Sequence, residues 1–379
     1  MPETGKCGNI IFCPSTKLFL LPAIMMHEFF TAAGEKSKIV IDKNMLPQAQ
    51  EIGDDFCDFE TAVQYFEDCD SIRSVCFHHD DTQFQALVRN LNMVRTVFPK
   101  KRNLVSFYPD GFGNAMHGKS YVERLSNVFS DEVTVDQYLS FGFVHKTTVK
   151  LAADRPIQTL SFSLLTDFFD RSVKIRKFCN LEKLSGVDLD ECVMLAYRPW
   201  CTKTFHDGMY DFGNQQELAI LYGSLIERAE KDHGRSLKVI FRADERYKRE
   251  SDLVRRLLSS RFDVIDLDSF YSQALTLEPL VYFLIKTGQV SKMSMICLDS
   301  TSFQVPAFLV QNMGAGRLVG YLGAPKEDVY RMSGGEAFTK RKLGSKMSDF
   351  RERYRAFESD GIVESVTDLC NTFIRVGTT

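Results

Sequence analysis

The chain is 379 residues long, 44% hydrophobic and 26% charged, the proportions of a water-soluble globular protein with room for about two cored domains. Its formal net charge of -3 argues against a general nucleic-acid binder, and no GxGxxG stretch marks a dinucleotide site. The ten cysteines form neither a CxxC pair nor a zinc-spaced Cys/His cluster, which points to a reducing compartment.

The first buried strand is read at 9–13 (Asn-Ile-Ile-Phe-Cys), closed by Pro14-Ser15-Thr16. An amphipathic helix is expected over 17–33. Its apolar stretch, 18–30, is interrupted by Pro22, His27 and Glu28, is too short to span a bilayer and lacks a signal-peptide cleavage pattern. A cytoplasmic protein is the expectation. A second strand follows at 38–41 with Asp42 at its end. A helix at 83–98 carries Phe84, Leu87, Val88, Leu91 and Val94 at helical spacing. It leads into the stretch around which the first half is organised, a strand at 104–108 ending in Pro109-Asp110-Gly111. From 120 to 185 the chain reads as mainly helical, best at 133–141 and 160–169.

A second cycle begins at 191. Its strand at 192–197 gives way to a long polar and aromatic loop that holds Arg198, Trp200, Lys203 and His206. Asn214 caps a helix over 215–231. A strand at 237–241 ends in Arg242-Ala243-Asp244-Glu245-Arg246, followed by a helix at 248–261 and a strand at 262–267. A helix at 280–287 precedes a strand at 293–298, which ends in Asp299-Ser300-Thr301-Ser302. The last strand is read at 317–322 and a helical tail at 347–376. Strand–helix alternation in two halves is the doubly wound α/β signature.

Ligands of such sheets sit at the carboxyl ends of the strands. Asp110, stiffened by Pro109 and given room by Gly111, is a candidate acid there, with a solvated turn as the plain alternative. Hydroxyls at Ser300 and Ser302 suit either a phosphate or an ordinary helix N-cap. Arg242 and Arg246 suit a phosphate or carboxylate, or a charged turn with Asp244 and Glu245. Asp-x-Asp pairs at Asp68/Asp70, Asp188/Asp190 and Asp266/Asp268 are candidate metal ligands of a nucleotide-sugar enzyme. A formal Walker A match runs Gly113-Asn-Ala-Met-His-Gly118-Lys119-Ser120, displaced from its strand and bulky at Met116 and His117.

Tyr108-Pro109-Asp110-Gly111 resembles the acid-acid-Gly motif of the bacterial sialyltransferases and polysialyltransferases, and Ser300-Thr301-Ser302 resembles their Ser-Ser/Thr motif. The opening Phe12-Cys13-Pro14-Ser15-Thr16 is similar to that family's first strand and loop. Leu277-Glu278-Pro279-Leu280 resembles the segment leading into the serines. Two departures stand out. Pro109 replaces the first acid, and Arg242-Ala243-Asp244 stands where the family has a His-Pro pair.

The resemblance implies an α/β protein of two Rossmann-like domains facing across a cleft, the GT-B glycosyltransferase fold. The domains would be 1–188 on the acceptor side and 189–346 on the nucleotide-sugar side, with a helical tail, 347–379, packing back on the first. It implies inverting transfer of sialic acid, or a related nonulosonic acid, from a CMP-activated donor to a glycan acceptor in polysaccharide biosynthesis, with no metal or other cofactor. Asp110 would be the general base and Arg242 would meet the leaving phosphate. Ser300, Thr301, Ser302, Arg246, Arg198, Gly111, Ser15 and Thr16 would bind the donor, and Trp200 and His206 would lie on the acceptor side. The alternatives are a metal-dependent transferase of another nucleotide sugar, a P-loop nucleotide enzyme, and an inactive glycan- or nucleotide-binding homologue. Seven basic residues within 340–355, opposed by Asp349 and Glu352, suit peripheral attachment at the inner membrane surface or a solvated helix face.

Overall fold

A computed structural model of the chain describes residues 6–14, 19–78, 81–109, 121–129, 132–141, 155–197, 215–243, 248–271, 276–297, 306, 309, 313, 318–322 and 363–368. The chain divides into two units, Met1–Phe178 with Ala274–Thr276, and Cys179–Gln273 with Leu277–Thr379. The break after 178 comes earlier than the sequence suggests.

The first unit holds strands β1 (Cys7–Phe12), β2 (Lys36–Val40), β3 (Phe56–Cys57), β4 (Ser71–His78), β5 (Arg102–Pro109), β6 (Val133–Phe141) and β7 (Ile157–Leu160). They pair in parallel in the order β3-β2-β1-β4-β5-β6-β7. Its helices are α1 (Leu20–Ala32), α2 (Leu46–Gln50), α3 (Phe59–Tyr65), α4 (Asp81–Val97), α5 (Tyr121–Phe129), α6 (Phe162–Arg171) and, at the junction, α7 (Val173–Cys179). Strands covered on both faces must be apolar on both, and β1 is buried from Gly8 to Phe12. Ile10, Phe12, Ile72, Cys76, Val105 and Phe107 pack against Leu87, Leu91 and Val94 of α4. Helix α1 is not the amphipathic helix expected. Leu20, Leu21, Ala23 to His27 and Phe30 are all buried, and α1 packs on β1, β2, β7 and α6.

Strands β6 and β4 are among those that depart from the sequence reading. The period of Val133–Phe141 reads as helical, yet the segment is β6, because Asp136 is held inside the sheet. Its carboxylate accepts from Arg73 Nε at 2.8 Å and from Ser106 Oγ at 2.7 Å. Strand β4, unread in the sequence, lies between β1 and β5. Ser71, Arg73 and Ser74 break its apolar run. Arg73 also donates through Nη1 to Asn9 Oδ1 at 2.7 Å and to Glu35 Oε2 at 2.8 Å, so one buried guanidinium ties β4 to β1, β6 and the residue before β2.

The second unit holds β8 (Glu191–Ala196), β9 (Lys238–Arg242), β10 (Asp263–Asp266), β11 (Lys292–Cys297), β12 (Leu318–Leu322) and β13 (Val363–Asp368), with α8 (Gln215–His233), α9 (Lys248–Ser259) and α10 (Glu278–Lys286). The strands are again all parallel, in the order β10-β9-β8-β11-β12-β13. Pro279 in the first turn of α10 and Gly288 just past its end, at φ +71°, give that helix the preferred start and stop. The helical tail expected over 347–376 is corrected at Val363–Asp368. There Val363, Val366 and Thr367, β-branched and suited to a pleated sheet, form the outer strand of the second unit's sheet. The basic run at 340–355 lies outside the described residues.

At the amino edge of this sheet the fully buried His233 side chain joins three elements. One ring nitrogen meets the Glu191 carboxylate and the other is 2.8 Å from Ser294 Oγ.

Counted within each sheet, both units share the strand order 3-2-1-4-5-6 of the Rossmann fold, with β7 added to the first. The α/β class with two Rossmann-like sheets therefore stands.

Candidate functional site

The order of a doubly wound sheet reverses at one crevice, and ligands bind there, beyond the carboxyl ends of the flanking strands. In the second unit that crevice lies between β8 and β11. The segment after β8 opens with Tyr197, whose backbone N–H donates to the Arg242 carbonyl at 2.8 Å. The Tyr197 ring is buried 5.9 Å from both Tyr222 and Phe241. The residue before Arg198 is thus locked to the end of β9. The segment after β11 runs into Ser300-Thr301-Ser302. Arg198, Trp200, His206, Arg246 and the three hydroxyl residues all lie outside the described residues, so only their places in the chain relative to these strand ends are fixed.

Arg242 is the site residue whose side chain is described. It is the last residue of β9, because the apolar run Val239 to Phe241 ends there and the sheet no longer has to exclude water. Its side chain is 13% exposed and its Nη1 lies 3.5 Å from Asp268 Oδ1. The guanidinium carbon is 5.2 Å from the centre of the Tyr271 ring. Asp268 Oδ2 also accepts the Ala243 backbone N–H at 3.2 Å, so one carboxylate holds both the guanidinium and the chain leaving β9. Burial pushes the Tyr271 phenol well above its ordinary value, with Cys179 adding to the rise and Arg242 opposing it. The ring is a neutral face beneath the cation.

The three Asp-x-Asp pairs separate by position. Asp68/Asp70 and Asp188/Asp190 precede β4 and β8. Asp68 pairs with Lys36 at 2.5 Å and Asp188 with Arg235 at 3.0 Å, and their side chains are 50% and 62% exposed. Asp266 ends β10 and Asp268 follows it at the carboxyl edge. Asp266 caps the single turn Leu267–Ser269 by accepting the Asp268 N–H and pairs with Arg255 at 3.3 Å. Both carboxylates of this pair face arginines rather than each other. Among the described residues no group of three His, Cys, Asp or Glu is placed to hold a metal ion.

In the first unit the crevice lies between β1 and β4. Strand β1 ends at Phe12, and the Cys13 N–H donates to the Val40 carbonyl at 2.9 Å. Burial pushes the Cys13 thiol far up, so it is inert as a nucleophile. Ser15 and Thr16 come next, outside the described residues, as do Asp110, Gly111 and the whole of Gly113 to Ser120. Strand β5 ends on Pro109 beyond its pairing with β6, where a missing backbone donor costs nothing. Phe19, Phe77 and Tyr108 form an aromatic chain below this edge, with ring centres 4.8 and 5.6 Å apart. His78, the last residue of β4, is in register with Pro109. The run Val75-Cys76-Phe77, ending in His78-His79-Asp80, is the sequence signal for this strand end.

No protein-family model matches the chain and no curated protein matches it. Among solved structures, one similar chain is a 2,6-sialyltransferase of a Vibrionaceae Photobacterium species, in a ternary complex with the donor product CMP and the acceptor substrate lactose. It is 11% identical, covers 96% of this chain and 78% of its own, and has a TM-score of 0.49. Another is an alpha-glucosyltransferase in complex with UDP and a 13-mer DNA. It is 9% identical, covers 83% and 79%, and has a TM-score of 0.36. At these scores the likenesses assign no chemistry to this chain, and the fold class stands on the two strand orders. No described helix is long and apolar enough to cross a membrane.

Proposed function

We propose that the chain is an inverting glycosyltransferase that passes a sialic acid, or a related nonulosonic acid, from a CMP-activated donor to a glycan acceptor. The observation that carries this reading is the strand order of the second sheet. The segments with Arg198 and with Ser300-Thr301-Ser302 follow β8 and β11, which flank its crevice, and Arg242 ends β9 beside them. The resemblance of Tyr108-Pro109-Asp110-Gly111 and Ser300-Thr301-Ser302 to the sialyltransferase motifs supports the donor class.

In this reading the acceptor hydroxyl oxygen attacks the anomeric carbon and hands its proton to the Asp110 carboxylate. The bond from that carbon to the phosphate oxygen breaks, and CMP leaves with the electron pair. The charge that grows on the phosphate is met by Arg242, with Ser300, Thr301 and Ser302 donating hydrogen bonds. Arg242 stays protonated throughout, so it stabilises the departing oxygen without giving it a proton. Arg246 and Arg198 complete the donor side. Trp200 and His206 serve the acceptor.

A thermal-shift screen of CMP against UMP, GMP, ADP and ATP tests the donor class. CMP at about 100 times its Kd stabilises by about 2.7 kcal/mol. The protein should also hydrolyse CMP-sialic acid slowly without acceptor. A protein with no cytidine preference is not this transferase. One that binds CMP but never turns the donor over is a binding homologue.

A further inference from the structure

We infer that Asp268 is the positioning residue of the phosphate-facing arginine: it aims Arg242 over the Tyr271 ring at the carboxyl edge of the second sheet, and a carboxylate at that side-chain length is what the arrangement needs. This rests on the transferase reading for the identity of the ligand, but the pair itself is defined by geometry. Asp268 accepts from the backbone of Ala243 and faces the Arg242 guanidinium 3.5 Å away. Asp266 fixes the turn that carries it, and Arg255 holds Asp266. The chain of support runs from α9 through β10 to the end of β9, all within one unit.

A structural ion pair is the competing account, and the other Asp-x-Asp pairs show what that looks like in this protein. They precede their strands, and Asp68 and Asp188 face lysine and arginine with 50% and 62% of their own side chains exposed. The Arg242–Asp268 pair is the reverse, with 13% and 14% of the two side chains exposed. Taking both charges out of water is costly, and apolar residues of similar size fill such a place as well or better. A shielded arginine over a neutral aromatic face, beside the crevice where a nucleotide would lie, gives that cost a use. Its charge is kept in a fixed direction for an incoming phosphate, and little side-chain freedom remains to be lost on binding.

The test is CMP affinity by calorimetry in Asp268→Asn, Asp268→Glu, Arg242→Ala and the double variant Arg242→Ala/Asp268→Asn, with Asp188→Asn as the ion-pair control. Asp268→Glu keeps the charge and moves it by one methylene, so a purely electrostatic role leaves affinity unmoved. Positioning predicts a rise in Kd of about tenfold in both Asp268 variants, one hydrogen bond's worth. It also predicts no further loss in the double variant beyond Arg242→Ala, because the two residues act as one. Asp188→Asn should bind like the wild type. Unchanged affinity in Asp268→Glu, or additive losses in the double variant, overturns the assignment. Inorganic pyrophosphate is the second probe. Arg242-dependent pyrophosphate binding with no cytidine preference keeps the pair and removes the donor class, whereas binding of neither removes both.

Discussion

Replacing Arg73 by Met should strand charge inside the first unit. Three acceptors now share the guanidinium: Asp136 at 2.8 Å, Asn9 at 2.7 Å and Glu35 at 2.8 Å. Methionine fills much of the space beside Phe30 and supplies no donor. Asn9 is fully buried, while Asp136 and Glu35 keep 20% and 32% of their side-chain surface. Removing one member of a buried pair costs about 3–5 kcal/mol, and the water still reaching both acids argues for the lower end, ~3 kcal/mol. At roughly 2–4 °C per kcal/mol, the first unit's melting transition should fall by ~6–12 °C. Calorimetry reads the shift. Hydrogen exchange read peptide by peptide assigns it, since a chain of two units need not unfold in one step. Peptides of β1, β4 and β6 should exchange faster and those of β8, β9 and β11 should not. Arg73→Lys keeps the charge but cannot reach three acceptors, so it should fall between. A shift below about 2 °C, smaller than ~1 kcal/mol implies, or faster exchange spread evenly over both sheets, would refute the ladder as the tie between these strands.

His233 gives a pH signature. Burial holds its imidazole below the ordinary value against the opposing pull of Glu191, so the folded state favours the neutral ring and the unfolded chain takes up the proton first. The stability this lends is fully present above about pH 6.5 and is lost as pH falls from there through the lowered folded value. Lys292 adds to the lowering and Asp232 opposes it. His233→Gln should flatten that slope in urea midpoints of the second unit, and an unchanged slope places the titration elsewhere. Asp110→Asn keeps the shape of the side chain but takes no proton, so turnover should drop by roughly 10²–10⁴-fold with CMP affinity little changed. Near-full activity would reduce Asp110 to a turn residue. For the basic run at 340–355, co-sedimentation with phosphatidylserine vesicles should weaken as salt rises. Binding that ignores both salt and anionic lipid ends the membrane expectation.

Where the chain buries strands on both faces, the sequence shows them as mainly apolar runs, and β1, β5, β8, β9 and β11 are legible for that reason. The reading fails where a sheet holds a polar residue that only a distant partner can satisfy. Asp136 has no local reason to lie in a strand; its reason is Arg73, 63 positions away in the chain. The same holds for β13, whose partner β12 lies across a long intervening segment. Short-range periodicity carries no information about such partners.

Arg73 and Arg242 show the same limit from opposite sides. Both are strand residues 13% exposed in their side chains and both are held by aspartate. Arg73 interrupts its strand, so the charge hides β4 from a reading based on apolar runs. Arg242 ends its strand, so the run before it draws attention to the charge. Their partners then separate their roles. Arg73 meets acceptors on β1, on β6 and on the residue before β2, which is what fixing a fold requires. Arg242 sits at the carboxyl edge beside the Asp268 carboxylate and the Tyr271 ring, next to the crevice that the strand order creates. An arginine found at the end of an apolar run therefore points to a site only once the sheet order is known, because that order decides whether the strand end faces a crevice or plain solvent.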